Sequence, residues 1–231
     1  MTRKAWIIGA STGIGAAVAD ELAAKGWDVV RSSRSQGEIR IDVSDDASVI
    51  DAANKYQEVH GNFDLVLVMA GFWKRMSAKQ FDLEVFKEHN NTNNVGLARC
   101  VAAVLPKMIN QNSGTLIGVS SVAGFRGLPG SSGYGPSKAA QINFLESLRT
   151  DLQDTNVQIQ TVSPGFVKTP MTDVNTFPMP FIISAEKAAK IIVKGIEKKK
   201  AEIVFPIPMA ISMKLSRLVP ASIWPKLFKK G

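Results

Sequence analysis

Seven short apolar runs alternate along the chain with longer stretches of helical spacing, and this alternation limits the folds that it can adopt. Several runs are apolar on both faces, which is typical of strands covered by helices on both sides of a sheet. The runs cover residues 5–8, 28–30, 39–41, 65–69, 115–119, 158–162 and 202–205. The helical stretches cover residues 13–25, 45–60, 82–110 with an interruption around Asn93, 134–154 and 185–200. The pattern predicts a doubly wound, Rossmann-like α/β fold, with a parallel sheet of about seven strands and helices on both faces.

Residues at the ends of these stretches support the same assignment. Gly26 follows the first helical stretch, where a glycine commonly ends a helix. Ser44 and Ser184 precede two others, and we expect both to act as N-caps.

Chain length bounds the number of domains. A chain of 231 residues, 45% of them hydrophobic, supports one sizeable core and is short for two. We therefore predict a single domain over residues 1–205 and a basic, apolar C-terminal appendix over residues 206–231.

Cysteine content and hydropathy indicate the cytoplasm. The single cysteine, Cys100, excludes an internal disulfide and fits a reducing compartment. The apolar run after the basic start ends at Gly9 after four residues, which favours a first strand over a signal peptide. No apolar run approaches the roughly 18 residues that span a bilayer.

The formal charge of +8 is concentrated in the appendix, which has five basic residues and no acidic one. Nucleic-acid binding is disfavoured against an anionic cofactor, a membrane surface or solubility alone. Ile211, Leu215 and Leu218 have the i, i+4, i+7 spacing of one helix face. Because prolines divide this segment, we favour packing on the body or on a partner subunit over contact with a membrane surface.

A glycine-rich turn follows the first predicted strand and opens the first predicted helix. Glycines allow a close backbone approach, and a helix N-terminus offers unpaired N–H groups to a phosphate. This position favours a dinucleotide-phosphate cradle over a plain tight turn. The turn reads Gly9, Ala10, Ser11, Thr12, Gly13, Ile14, Gly15.

The end of the second strand bears on the choice of cofactor. No acidic residue lies between Asp28 and Glu38 to accept the ribose hydroxyls of NAD. Arg34 offers a fork of donors to the extra phosphate of NADP, and Ser11 and Ser33 add hydroxyls. We therefore favour NADP over NAD; the alternative is a solvated surface arginine.

Three residues suggest proton transfer at a carbonyl or alcohol. Tyr134 and Lys138 share one helix face, and a nearby ammonium lowers the pKa of a phenol. Ser121, after a strand, can hydrogen-bond the substrate oxygen. A Tyr-x-x-x-Lys pair alone is unspecific, so the residues around it decide the interpretation.

Six motifs in order resemble the short-chain dehydrogenase/reductase family in its classical form, over roughly residues 5–205. They are Gly9-x-x-x-Gly13-Ile14-Gly15, Ala70-Gly71, Asn93-x-x-Gly96, Ser120-Ser121, Tyr134-x-x-x-Lys138, and Pro164-Gly165 with Thr169. Two positions depart from the family pattern: Val68-Met69 stand where two asparagines are frequent, and Ile8 stands where a threonine is frequent. We expect altered local packing there and unaltered chemistry.

The resemblance implies a role for each of four catalytic residues. Tyr134 would be the general acid in carbonyl reduction and the base in alcohol oxidation. Lys138 would lower the pKa of Tyr134 and bind the nicotinamide ribose, and Ser121 would orient the substrate oxygen. Asn93 would hold a water that links Lys138 to solvent.

The resemblance also implies the remaining cofactor contacts. Asp42 and Val43 would contact the adenine, and Ala70-Gly71 would pass close to the cofactor. The residues expected to position the nicotinamide are Pro164, Gly165, Val167 and Thr169.

Other polar candidates receive structural interpretations. His60 and His89 lack partners at metal-ligand spacing, so no metal site is predicted. Cys100 has an apolar helical context and is interpreted as a core residue.

Aromatic residues suggest an apolar substrate. Phe72 and Trp73 follow Ala70-Gly71, and residues 177–181 lie within a predicted lid near 170–184. We expect Trp73 and Phe181 to contact an apolar carbonyl compound, although core packing uses the same residue types.

Together these features predict an NADP-dependent oxidoreductase that acts on a carbonyl/alcohol pair, within a homodimer or homotetramer by analogy with relatives. One alternative is an NAD-dependent alcohol dehydrogenase with the same active site. Another is a non-catalytic dinucleotide-binding redox sensor.

Overall fold

A seven-stranded parallel sheet runs through the centre of the computed structural model, which describes residues 2–228. The strands are β1 (Lys4–Ile8), β2 (Asp28–Ser33), β3 (Ile39–Arg40), β4 (Leu65–Val68), β5 (Gly114–Val119), β6 (Val157–Pro164), β7 (Val167–Lys168), β8 (Ile183–Ser184) and β9 (Glu202–Phe205). Seven of these strands form the sheet, in the order β3-β2-β1-β4-β5-β6-β9, and β7 and β8 lie outside it. The predicted doubly wound fold is confirmed, and each predicted run forms a strand of this sheet.

Helices cover both faces of the sheet. They are α1 (Gly13–Ala24), α2 (Asp46–His60), α3 (Leu83–His89), α4 (Gly96–Asn110), α5 (Tyr134–Asp151), α6 (Pro170–Asp173), α7 (Ala185–Glu197) and α8 (Ile207–Leu215). One core cluster joins α1 and α7 to the sheet, and the other joins α2, α4 and α5 to its opposite face. Side chains alternate along β1, so Ile7 belongs to the first cluster and Trp6 and Ile8 to the second.

Capping residues agree with the sequence in one case and differ in another. Ser184 caps α7, since its hydroxyl accepts a hydrogen bond from the Lys187 N–H at 3.2 Å. The N-cap of α2 is Asp45, whose carboxylate accepts from the Ser48 N–H at 2.7 Å. The prediction of Ser44 is wrong, because its N–H and hydroxyl both bind Asp42 in the preceding turn.

The predicted interruption of the long helical stretch lies at Asn93. A π-helical segment, Asn90–Val95, separates α3 from α4, and Asn93 is its fully buried member. Such segments are frequent at functional sites because they change the direction of side chains within a helix.

Strands β7 and β8 form a separate parallel pair that the sequence did not predict. Each has two residues, which is too short for an alternation pattern to appear. The pair brackets residues 169–182, which include most of the predicted lid.

The order of connections reverses between β1 and β4, so their carboxyl ends border a crevice. The turn from β1 to α1 and the segment after β4 both lie there. Among residues 2–228, no helix is both long and apolar enough to cross a membrane.

Candidate active site

The glycine turn between β1 and α1 has no room for side chains at two positions. Gly9 has a φ of 93°, and a Cβ there would lie 2.6 Å from the Ala70 nitrogen. A Cβ on Gly15 would lie 2.0 Å from the Gly9 carbonyl oxygen. Thr12, the N-cap of α1, makes no side-chain capping bond to the first helical turn. The backbone of the turn and the N-terminus of α1 therefore border the crevice directly, as an anion site requires.

A cleft of about 390 Å³ opens at this crevice. It brings together the predicted cofactor residues of the first three strands and of the segments after β4 and β6. Those that line it are Gly9, Ser11, Thr12, Gly13, Ile14, Gly15, Ser33, Arg34, Asp42, Val43, Ala70, Gly71, Pro164, Gly165, Val167 and Thr169. Ser121, Tyr134 and Lys138 line the same cleft.

Tyr134 begins α5 and points its ring toward two other side chains of the site. The Lys138 Nζ atom lies 5.5 Å from the centre of the Tyr134 ring, and Trp73 packs edge-on at 5.0 Å. The Ser121 hydroxyl accepts a bond from the Ala123 N–H at 3.2 Å and donates to the Pro164 carbonyl at 3.3 Å.

Burial dominates the protonation of the pair. It raises the pKa of Tyr134 to about 12, although the Ser121 hydroxyl acts in the opposite direction. It also lowers the pKa of Lys138 to about 7. The expected lowering of the Tyr134 pKa by Lys138 is therefore not seen in this structure, because burial outweighs the opposing effect of the Ser121 hydroxyl.

Asn93 lies behind the cleft and fastens the segment after β4. Its Oδ1 accepts from the Phe72 N–H at 2.7 Å, and its Nδ2 donates to the Phe72 carbonyl at 3.0 Å and to Ser137 Oγ at 2.9 Å. Gly71 lies close to the Asn93 and Lys138 side chains, since a Cβ there would lie 3.4 Å from Asn93 Oδ1 and 3.7 Å from Lys138 Nζ.

Gln141 lies between Lys138 and Asn93. Lys138 Nζ donates to Gln141 Oε1 at 2.8 Å, and Gln141 Nε2 donates to the Asn93 carbonyl at 2.6 Å. The Gln141 amide therefore connects Lys138 to the Asn93 carbonyl directly, and the water expected to link Lys138 to solvent stays a prediction. Sequence analysis missed Gln141, since only the fold brings α5 against the π-helical segment.

Known proteins of similar sequence identify the family. The family described as short chain dehydrogenase matches residues 3–177. A Myxococcus xanthus protein named "Uncharacterized oxidoreductase" is 34% identical, covering 94% of this chain and 93% of its own. The chain belongs to the short-chain dehydrogenase family.

Two solved structures share the fold of this short-chain dehydrogenase. One is a short chain dehydrogenase/reductase from Burkholderia phymatum in complex with NAD, with a TM-score of 0.86, 22% identity, and coverage of 94% of this chain and 93% of that one. The other is a short chain dehydrogenase from Burkholderia cenocepacia in complex with NADP, with a TM-score of 0.85, 22% identity, and coverage of 99% and 100%. At these identities the likeness shows the fold alone. By its family, this chain is an oxidoreductase.

The end of β2 in this short-chain dehydrogenase separates two arginines. Arg31 pairs with Asp20 at 2.6 Å, whereas Arg34 is exposed at the cleft. The hydroxyl of Ser33 donates to the Gln36 carbonyl at 2.7 Å, so its proton is already committed within the turn. A hydrogen bond from Ser44 lowers the pKa of Asp42, and the charge of Arg34 adds to this effect.

His89 is a site residue that sequence analysis left without a role. It is fully buried, its Nδ1 lies 2.7 Å from the Val85 carbonyl, and its Nε2 accepts from the Lys74 N–H at 3.1 Å. Its ring lies 4.8 Å from Phe72 and 6.1 Å from Tyr134. Burial lowers its pKa, so a neutral imidazole holds the backbone beside Trp73.

Among residues 2–228, no cluster of three or more potential metal ligands occurs.

A second cavity of about 230 Å³ lies between the segment after β4 and the predicted lid. It is lined by Trp73, Lys74, Arg75, Val174, Asn175, Thr176 and Phe177. Phe177 packs on Phe166 at 6.0 Å. Phe181, which we expected to face the substrate, is 58% exposed and has a φ of 58°. Because Trp73 also contacts Tyr134, this cavity adjoins the part of the cleft that Tyr134 lines.

The appendix packs on the body with one face. Met209 is buried in a small cluster with Val122 and Phe125, and Arg126 donates to the Val219 carbonyl at 2.9 Å. The Trp224 indole donates to the Gly127 carbonyl at 2.7 Å. The opposite face leaves an apolar stripe of Ile207, Ile211, Leu215 and Leu218, each more than half exposed.

Proposed function

We propose that this oxidoreductase transfers a hydride between NADP(H) and an apolar carbonyl/alcohol pair, acting as a reductase. One observation carries the proposal: a single cleft contains both the glycine turn at the start of α1 and the set of Ser121, Tyr134 and Lys138. A phosphate cradle and a proton donor in one cleft are what hydride transfer to a carbonyl requires.

The turn fits a dinucleotide because it has glycines at two tightly packed positions, so its backbone borders the cleft directly. A Cβ on Gly9 or Gly15 would meet backbone atoms, and the N-terminus of α1 faces the cleft. We propose that the cleft residues given above hold the cofactor. When bound, the nicotinamide ring supplies or accepts the hydride.

The preference for NADP rests on Arg34. It is exposed where β2 ends at the cleft, and no acidic residue stands between Asp28 and Glu38. A guanidinium suits the extra phosphate of NADP because it offers two parallel hydrogen bonds.

The proposed catalytic roles follow from protonation and contact. A pKa of about 12 keeps Tyr134 protonated at neutral pH, so its hydroxyl can donate a proton to the substrate oxygen during reduction. Ser121 orients that oxygen, and the Lys138 ammonium stabilises the phenolate that remains. Asn93 holds the backbone of Phe72 beside the site.

An apolar substrate is supported by the aromatic lining beside Tyr134. Trp73 contacts the Tyr134 ring, and Phe177 of the lid completes the adjoining cavity. A homodimer or homotetramer is supported by the exposed stripe on the appendix, and a cytoplasmic location by the single cysteine.

Thermal unfolding with NADPH and NADH in parallel tests the cofactor. A ligand at about 100 times its Kd stabilises by roughly 2.7 kcal/mol, which for this chain length corresponds to a Tm increase of about 5–10 °C. We expect this increase with NADPH and a smaller one with NADH. Arg34→Ala should remove the difference, whereas Arg40→Ala, an exposed arginine outside the cleft, should keep it. An increase with NADH alone would overturn the preference for NADP and leave the active site standing.

Two alternatives make different demands. An NAD-dependent alcohol dehydrogenase with the same active site predicts the reverse order of the two cofactors. A redox sensor predicts cofactor binding without turnover, and the presence of all four catalytic residues disfavours it.

A further inference from the structure

The side-chain amide of Gln141 connects two catalytic residues and is itself almost completely buried. Gln141 is 1% exposed, Lys138 is 4% exposed and Asn93 is 0% exposed. The amide accepts from Lys138 Nζ with its oxygen and donates to the Asn93 carbonyl with its nitrogen. A flipped amide would place like groups together at both contacts, so the two bonds fix its orientation.

These contacts determine where the ammonium of Lys138 can direct its protons. Two are taken, by Gln141 Oε1 at 2.8 Å and by the Val119 carbonyl at 2.9 Å. The third remains for the cleft, which Lys138 lines together with Tyr134. Both acceptors are neutral, so they orient the ammonium with dipoles and not with a countercharge.

We infer that Gln141 is a positioning residue that aims the Lys138 ammonium at Tyr134 and the cleft by anchoring it to the Asn93 carbonyl. This inference rests on the proposed function for its catalytic consequence.

Two substitutions separate positioning from packing. Gln141→Leu keeps the approximate volume and removes both hydrogen bonds, whereas Gln141→Glu keeps an acceptor for Lys138 and adds a charge. Gln160→Leu is a matched control, because Gln160 is also 1% exposed but neither of its amide atoms has a hydrogen-bond partner within the described residues.

The first measurement is the titration of Lys138 by NMR in protein with labelled lysine side chains, assigned by the signal that Lys138→Met removes. We expect Gln141→Leu to lower the pKa of Lys138 below its value of about 7, because an acceptor for the charged form is lost. Gln141→Glu should raise it by about 1 to 3, since an opposite charge lies next to it. An unchanged titration in both variants would overturn the inference.

The second measurement is NADPH-dependent reduction of benzil, an aromatic diketone, as a function of pH. Because the ammonium is the active form of Lys138 in reduction, the rate falls as pH rises through its pKa. This fall should shift to lower pH in Gln141→Leu and to higher pH in Gln141→Glu, with the control unchanged. A loss of rate without any shift would indicate packing alone and contradict positioning.

The two measurements also distinguish the inference from the function on which it rests. If wild type fails to reduce benzil while the Lys138 titration responds to both variants, the proposed substrate fails and positioning stands. Should Gln141→Leu not fold, Gln141→Glu alone decides, because it keeps the Lys138 contact.

Discussion

The indole nitrogen of Trp73 donates a hydrogen bond to Asn175 Oδ1 at 3.0 Å, which joins the segment after β4 to the lid. The same indole packs edge-on against Tyr134 at 5.0 Å. One side chain thus contacts both the proposed proton donor and the predicted lid.

Trp73→Phe should raise KM for apolar carbonyl compounds several-fold with a smaller change in kcat. The substitution keeps an aromatic contact to Tyr134 and removes the bond to Asn175, so it acts on the lid more than on the chemistry. Steady-state kinetics over a panel of ketones measures the effect. Ile50→Ala, at an exposed position of α2, is the control. If Trp73→Phe and wild type had the same KM for every ketone of the panel, Trp73 and the lid would be excluded from substrate binding.

Tyr134→Phe should reduce kcat by a factor of about 10² to 10⁴, the usual contribution of a general acid. Binding of NADPH should persist, because the phenylalanine keeps the ring that packs on Trp73. Tyr56→Phe provides a stringent control, since the hydroxyl of Tyr56 is also buried but has no hydrogen-bond partner within residues 2–228. Full activity in Tyr134→Phe would refute its role as the proton donor.

Gly15→Ala should abolish the thermal shift with NADPH. The added methyl group would lie 2.0 Å from the Gly9 carbonyl oxygen, so the turn must move away from the shape proposed to bind phosphate. Overpacking of this kind also costs about 1–3 kcal/mol of unfolding free energy. Gly127→Ala is the matched control, because a Cβ there meets no atom within 4 Å. A normal NADPH shift in Gly15→Ala would contradict the proposed cradle.

His89 should make the protein less stable in mild acid. Its pKa is lowered by burial in the folded state, whereas in the unfolded chain it is about 6.5. As pH falls below about 6.5 the unfolded chain takes up a proton first, so the unfolding free energy falls. Above that pH the residue is neutral in both the folded and the unfolded chain, so it adds nothing to the pH dependence of the unfolding free energy.

Urea unfolding as a function of pH measures this effect. His89→Gln should flatten the acid fall, and Gln160→Leu should retain it, since Gln160 is a buried side chain that does not titrate. An identical pH dependence in wild type and His89→Gln would refute the assignment.

Replacing Ile211, Leu215 and Leu218 together by serine should reduce the size of the oligomer in solution. All three are exposed, and an apolar stripe of this kind is typical of a subunit interface. Light scattering after gel filtration gives the mass, and sedimentation with anionic vesicles tests the membrane alternative. Val59→Ser, at an exposed position of α2, is the control. Vesicle binding that the triple substitution removes, with no change in mass, would favour the membrane surface.

Long elements of the fold could be predicted from sequence because their patterns repeat over several turns or residues. The run 65–69 is apolar throughout and forms β4 in the middle of the sheet. The paired strands β7 and β8 could not be predicted, since two residues cannot show an alternation. Ser44 was a plausible cap by residue type, but the competing carboxylate of Asp42 binds it in the turn.

The residues of the candidate site also divide into those that sequence could predict and those that it could not. Tyr134 and Lys138 share one helix, so their proximity follows from spacing alone. Gln141 and His89 act through contacts with segments distant in sequence, and nothing in their local pattern indicates this. The pKa of Tyr134 also depends on burial, which spacing does not reveal.

The backbone around Trp73 is fastened by Asn93 at Phe72 and by His89 at Lys74, whereas residues 174–182 are largely exposed. The backbone of one wall of the proposed substrate cavity is therefore held by proposed catalytic-site residues, and the other wall is joined to it through side chains such as Trp73 and Asn175. We expect a change in the backbone of the first wall to alter chemistry and substrate choice together. The second can accumulate substitutions while turnover is retained, so new substrates are most readily acquired by selection on the lid.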